Sequence, residues 1–195
     1  MNEFNYLIEV LRQRLHTAKL LYPLNFGLGE RSSFLIYCLI REIKPKIIIE
    51  TGVANGISTF FILNAIIRNG NGKLYSIDIS KDVGAILSEE EKKIWNLIVI
   101  NPKRRCLTKA IENILNKSNN RKIDMFIHDS NHTYRWQIFE YELIYPLLDE
   151  DGILVSDDID FSYAFLDFIK KHSCKALGLF DRYKISGILR KNCKY

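Results

Sequence analysis

An apolar run that breaks on two glycines constrains this chain more than any other stretch. Lys46-Ile47-Ile48-Ile49-Glu50-Thr51 leads into Gly52-Val53-Ala54-Asn55-Gly56, and Ile57-Ser58-Thr59 then opens helix-like sequence. Consecutive apolar residues suit a strand buried on both faces, as in a parallel sheet. Gly52 and Gly56 allow a sharp turn and a close backbone approach to a ligand. The following helix points its free N–H groups at whatever occupies the turn. Glu50 is the odd residue, because a buried strand end rarely carries a carboxylate without a partner.

The rest of the chain repeats this alternation. Residues 3–20 place Phe4, Leu7, Ile8, Leu11, Leu15 and Ala18 at helical spacing, and Tyr22-Pro23 stops them. A second helix is predicted over 32–43, ended by Lys44-Pro45. Beyond the central strand and its helix (57–68), strands are predicted at 74–78, 97–100, 123–129 and 153–158. Helices are predicted at 88–95, 107–117, 132–148 and 161–171, with Asp149-Glu150-Asp151-Gly152 as an exit turn. Strands over 175–180 and 184–189, joined through Asp181-Arg182, can only form an antiparallel hairpin. The fold class is α/β: a doubly wound, Rossmann-like, mostly parallel seven-stranded sheet with a C-terminal antiparallel hairpin and extra N-terminal helices. One domain is expected over 1–195, with 1–30 as a helical extension. Ligands in such sheets bind beyond the carboxyl ends of the strands.

Composition narrows the class. A net charge of +5, with basic residues spread along the chain, is not a nucleic-acid footprint. Lys103-Arg104-Arg105 is the densest basic cluster, and a solvated loop explains it as well as a phosphate contact does. Cys38, Cys106, Cys174 and Cys193 form no C-x-x-C pair, which fits a reducing, cytoplasmic setting rather than a disulfide framework. No stretch approaches the ~20 apolar residues of a membrane span.

Four of the five predicted parallel strands end in acids: Glu50, Asp78, Asp129 and the pair Asp157-Asp158. Each alone can cap a helix or shape a turn. Gathered on one rim they repel unless cations or donors balance them. Asp78 lies somewhat beyond the ~20-residue spacing at which an acid after a Gly turn takes ribose hydroxyls. A pyrophosphate dinucleotide favours G-x-G-x-x-G, which this chain lacks, and Glu50 would repel it. A cationic nucleoside fits better, which disfavours a nicotinamide oxidoreductase.

Glu50-Thr51-Gly52-Val53-Ala54-Asn55-Gly56 resembles the first motif of class I S-adenosylmethionine-dependent methyltransferases, and Tyr75-Ser76-Ile77-Asp78 resembles their ribose-binding motif. Ile127-His128-Asp129-Ser130-Asn131-His132-Thr133-Tyr134, the Gly152 turn and Ser156-Asp157-Asp158 are similar to a small bacterial branch distantly related to the catechol and caffeoyl-CoA O-methyltransferases. Two departures stand out: Ala54 replaces the middle Gly, and Asn101-Pro102-Lys103-Arg104-Arg105 stands where an adenine contact is usual.

The resemblance implies S-adenosylmethionine as cofactor, contacted by Glu50, Thr51, Gly52, Asn55, Gly56, Ser58, Asp78, Ile79, Asp129 and Ser130. It also implies Mg²⁺ or another divalent cation held by Asp129, Asp157 and Asp158. A cation would offset the crowded carboxylates and lower the pKa of an acceptor hydroxyl, although protonation or basic partners relieve such clusters too. His132 is the candidate general base, with Asp129 beside it, because histidine best accepts a proton near neutral pH. A structural hydrogen bond is the alternative. His128 should point away from Asp129 and pack. The expected activity is O-methylation of a small-molecule or sugar hydroxyl, and the competing reading is a non-catalytic cofactor-binding partner subunit. The 81–93 segment reads as a plausible lid. The first helix needs its apolar stripe covered, by the chain itself or in a homodimer.

Overall fold

The computed structural model describes residues 3–119, 122–181 and 184–192. Its centre is a seven-stranded sheet in the order β3-β2-β1-β4-β5-β7-β6. β1 (Ile47–Thr51), β2 (Lys73–Asp78), β3 (Trp95–Val99), β4 (Ile123–His128) and β5 (Leu148–Ser156) run parallel. β6 (Ala176–Asp181) and β7 (Lys184–Arg190) form the predicted hairpin, and β7 adds antiparallel to β5. Strand order reverses at β1, between β2 and β4, which is where a doubly wound sheet opens a crevice.

The alternation of side chains across β1 divides the interior into two cores. Ile48, with Met125, Ile127 and Val155, faces α1 (Glu3–Thr17), α2 (Glu30–Ile43) and α3 (Ile57–Asn69). Ile47 and Ile49, with Phe126 and Leu154, face α5 (Arg104–Lys117), α6 (Tyr134–Ile144) and α7 (Ala164–His172). α4 (Glu89–Ile94) precedes β3 and opens on a capping box, with the Ser88 side chain and Glu91 exchanging bonds with each other's backbone N–H groups.

Several boundaries move for physical reasons. The helix expected over 132–148 closes at Ile144, because Pro146 cannot supply the next backbone donor, and a 3₁₀ turn follows (Tyr145–Leu147). The expected exit turn at Asp149–Gly152 is an irregularity inside β5: Ile123 pairs with Leu148, and Met125 next pairs with Ile153. The apolar stripe of α1 is covered within the chain. Leu7, Ile8 and Leu11 are buried, and Phe4 stacks on Phe61 at 5.4 Å. The surface that suggested a homodimer is therefore already used.

The 81–93 segment is a scaffold rather than a lid. Gly84 N–H donates to the Ala54 carbonyl and Ile86 N–H to the Asn55 carbonyl, so it braces the Gly turn from behind. Arg14 clamps it through the Ile86 carbonyl at 3.1 Å and Glu91 at 2.5 Å.

The Gly turn tolerates little. Gly52 has φ +86, and a Cβ there would lie 1.9 Å from the Asp129 carbonyl oxygen. Gly70, with φ +68, closes α3 into open space. Gly52→Ala should therefore cost at least ~3 kcal/mol, the left-handed penalty plus overpacking. Gly70→Ala should cost only ~1–2 kcal/mol. Urea unfolding of the two variants checks the contrast, and equal losses would contradict the close packing of Gly52 on Asp129.

Candidate active site

A cleft of about 660 Å³ lies at the carboxyl ends of β1, β2 and β4. One wall is the Gly turn, Thr51 to Ala54, and the next is Asp78-Ile79-Ser80 after β2. Asp129, Ser130, Asn131 and His132 after β4 face them, with Trp136 and Glu140 from α6 and Asp158 after β5. Tyr22, Asn25, Phe26 and Gly27 reach over from the segment between α1 and α2.

Each acid at this rim meets a different partner. Glu50 is fully buried behind the Gly turn. Ser58 Oγ donates to its Oε1 at 2.6 Å, while Thr59 Oγ1 and Ser76 Oγ donate to Oε2 at 2.8 and 2.6 Å. Trp95 Nε1 donates in turn to Ser76 Oγ at 2.8 Å. Burial pushes the Glu50 carboxyl above its usual range, and the three hydroxyls only partly pull it back. Asp78 accepts Val53 N–H at Oδ2 and Ser80 N–H at Oδ1, both at 2.9 Å, so it ties the Gly turn to the end of β2 while lining the cleft.

Glu140 was not foreseen. Its oxygens accept from Thr51 Oγ1 (2.7 Å), Ser130 Oγ (2.9 Å) and Trp136 Nε1 (2.5 Å), and His128 Nδ1 lies 2.7 Å away. Burial alone would raise its pKa, but His128 and the hydroxyl donors outweigh burial and hold the carboxyl below its usual range. His128 does point away from Asp129's side of the strand, yet it is a polar partner in this network and not only packing. A carboxylate in the middle of a helix carries no local sequence signal of such a role.

Asp157 and Asp158 diverge. Asp157 is buried, with Oδ2 2.5 Å from Lys184 Nζ and Oδ1 accepting from Ser186 Oγ at 2.9 Å. Asp158 has φ +48, a strained backbone for a non-glycine residue, and its Oδ2 lies 2.9 Å from His132 Nδ1. A carboxylate on Nδ1 fixes the proton there and leaves Nε2 as the acceptor. His132 Nε2 is buried without a hydrogen-bond partner and stands 3.7 Å from Asp129 Oδ1. Among the described residues no hydrogen bond reaches the Asp129 carboxylate. Burial, then the charge of Asp157, drives its pKa well above the usual range.

The expected contact residues thus separate into two groups. Thr51, Gly52, Asp78, Ile79, Asp129, Ser130, His132 and Asp158 line the cleft. Glu50, Asn55, Gly56 and Ser58 do not, and each of these four has a structural partner within the chain. Asn55 is buried, with Oδ1 accepting Leu21 and Tyr22 N–H and Nδ2 donating to the Tyr22 carbonyl. That bond set holds the overhanging segment. Gly56, at φ +91, caps α3 and packs on Gly84. Ala54 keeps the turn's geometry at φ +47, despite replacing a glycine.

The divalent-cation expectation does not fit these residues. Asp157 has both oxygens engaged by Lys184 and Ser186, and the described residues include no group of three or more His, Cys, Asp or Glu that could hold a metal ion. The basic trio at 103–105 opens α5 on the surface, where Arg104 covers the Phe139 ring at 4.9 Å.

Residues 49–159 match the model of a family described as a methyltransferase domain. The chain belongs to this methyltransferase family. The class I resemblance carried by the Gly turn, Asp78 and the Asp129 segment holds. A search of curated proteins finds no match. Among solved structures, the chain resembles the O-methyltransferase from Bacillus cereus in complex with S-adenosylhomocysteine, at 16% identity and TM-score 0.64, over 96% of this chain and 91% of that one. It also resembles the Streptomyces achromogenes O-methyltransferase involved in tomaymycin synthesis, in complex with S-adenosylmethionine, at 13% identity and TM-score 0.66 (98% and 91% covered). An S-adenosylhomocysteine-bound methyltransferase of Podospora anserina gives 16% identity and TM-score 0.63 (98% and 89%). At these identities the likeness is one of fold. No helix among the described residues is long and apolar enough to cross a membrane.

Two carboxylates of this methyltransferase make the structural assignments testable. Glu50→Ala should lose at least ~3 kcal/mol in urea unfolding, because three buried hydroxyls lose their acceptor. A loss under 1 kcal/mol (by the same scale) would contradict its structural role. For Glu140 the folded pKa lies below the ordinary 4.5, so its stabilisation is present above that value and is lost as pH falls through the folded pKa. The stability gap between wild type and Glu140→Gln should therefore be full at neutral pH and shrink on acidification. A gap that widens in acid would reverse the assigned sign.

Proposed function

We propose that the protein transfers a methyl group from S-adenosylmethionine to a hydroxyl of a small molecule or sugar. The observation that carries this reading is the Asp129 side chain, which accepts no hydrogen bond among the described residues and lies in a cleft also lined by Asp78, Glu140 and Asp158. Such a cleft favours a cation, and the sulfonium and ammonium of S-adenosylmethionine supply positive charge. Asp78 is the residue assigned to the ribose hydroxyls. Its two oxygens each hold one backbone N–H and keep lone pairs for a ligand. Thr51, Gly52, Ile79 and Ser130 complete the cofactor wall.

Methyl transfer is an in-line displacement. The acceptor oxygen forms a bond to the methyl carbon, the carbon–sulfur bond breaks onto sulfur, and the hydroxyl proton leaves. Alignment supplies most of the acceleration. We assign the proton to His132 Nε2, with Asp158 on Nδ1 fixing the tautomer and steadying the imidazolium. We place the acceptor beneath Tyr22, Asn25 and Phe26, which overhang the cleft.

Isothermal titration with S-adenosylmethionine and S-adenosylhomocysteine tests the cofactor. Saturable binding is expected for both, and no binding of either would sink the proposal. Asp78→Ala should weaken that binding by about 1–3 kcal/mol, the worth of lost buried hydrogen bonds, and unchanged affinity would contradict the ribose assignment. His132→Ala should leave cofactor affinity within twofold and lower turnover of labelled methyl groups by about 10²–10⁴. Undiminished turnover would remove His132 as the base.

A further inference from the structure

The acids after β4 and β5 already have a cation, and it belongs to the chain. Lys184 opens β7, and the antiparallel addition of β7 to β5 carries its side chain to the acid rim. Its ammonium lies 2.5 Å from Asp157 Oδ2 and 3.5 Å from Asp158 Oδ1, and it donates to the Gly27 carbonyl at 2.8 Å. An ammonium has three donors and no acceptor, and these three oxygens surround it. The side chain is only 18% exposed, and Asp157 beneath it is wholly buried.

We propose that the Lys184 ammonium occupies the position a divalent ion would take among Asp129, Asp157 and Asp158, so that this methyltransferase works without a metal and Lys184 positions Asp158 against His132.

Mg²⁺ needs oxygens at ~2.0–2.1 Å in near-octahedral array. Asp157 Oδ2 cannot serve such an ion while an ammonium stands 2.5 Å from it, and Asp157 Oδ1 is taken by Ser186. Removing the lysine would leave Asp157 and Asp158 adjacent and uncompensated, with Asp129 close by. Burial works against the ammonium's charge, but Asp157 and then Asp129 and Asp158 more than offset it. Burial pushes Asp157 the other way, toward the neutral acid. The ion pair is the form that matches the geometry, because both Asp157 oxygens act as acceptors.

The same lysine joins two parts of the cleft. Gly27 sits in the overhanging segment, and a Cβ there would come within 3.8 Å of Asp129 Oδ2. Lys184 therefore ties that segment to the acids, in addition to the hold that Asn55 has on Leu21 and Tyr22. On the other side Asp158 bridges Lys184 and His132. Lys184 acts through these neighbours and is a positioning residue.

The cation assignment stands on this geometry alone, while its consequence for turnover rests on the methyl-transfer reading. Calorimetric titration of the full-length protein with Mn²⁺ separates the two, since it needs neither cofactor nor acceptor. Wild type should show no saturable Mn²⁺ binding at millimolar ion, and its methyl transfer should be unchanged by EDTA. Lys184→Met should gain saturable Mn²⁺ binding and a Mn²⁺-dependent rise in Tm. Its turnover should fall at least tenfold and recover in part with Mn²⁺, and Lys184→Arg should retain more activity than Lys184→Met without metal. Saturable Mn²⁺ binding by wild type that Asp158→Asn abolishes would overturn the proposal, and so would a folded Lys184→Met that binds no Mn²⁺. Should Lys184→Met fail to fold, the wild-type titration decides by itself.

Discussion

Carboxylates crowded on one edge of a sheet must each be balanced, and that constraint shapes this protein. Like charges at short range in a poorly hydrated crevice oppose ionisation and folding together. The chain answers with a different partner for each. Glu50 takes three hydroxyls, Asp78 two backbone N–H groups, and Glu140 a histidine, two hydroxyls and an indole. Asp157 takes a lysine and Asp158 a histidine. Asp129 accepts no hydrogen bond among the described residues; burial and neighbouring acids outweigh the attraction of Lys184, and it faces the cleft. The uneven balance singles out where a positively charged ligand would gain most.

The Gly turn depends on the same arrangement. Glu50 joins the end of β1 to the first turn of α3 and to β2, and Asp78 reaches back to Val53. Gly84 and Ile86 brace the turn from outside. Gly52 then lies so close to the Asp129 carbonyl that no side chain fits between them. The backbone presented to a ligand is thus held from several directions before any ligand arrives, which is the kind of preorganisation that favours binding and alignment.

Much of this was legible in the sequence. Runs such as Ile47-Ile48-Ile49 and Met125-Phe126-Ile127, separated by helical repeats, fixed the parallel sheet, because a strand covered on both faces has no polar side. The short link at Asp181-Arg182 required a hairpin. The rim itself followed from the position of acids at strand ends. What stayed hidden were partnerships across the fold. Glu50 visibly needed a partner, but whether that was ligand or protein turned on where Ser58, Thr59 and Ser76 would land. Lys184 and Glu140 are ordinary residues in their local sequence and gain their roles only when β7 meets β5 and α6 packs on β4. The metal expectation rested on the same limit: the three acids were readable, and the lysine among them was not.

We propose that the cleft receives an adenosyl sulfur ligand with Asp78 as its ribose partner, while Glu50 stays sealed behind the turn. A crystal structure of the protein with S-adenosylhomocysteine tests it most directly. Ribose hydroxyls are expected within hydrogen-bond distance of the Asp78 carboxylate, the amino-acid end along Thr51 to Gly52 and Ser130, and Glu50 still bonded to Ser58, Thr59 and Ser76. A ligand bound elsewhere, or one whose amino group is held directly by Glu50, would contradict it.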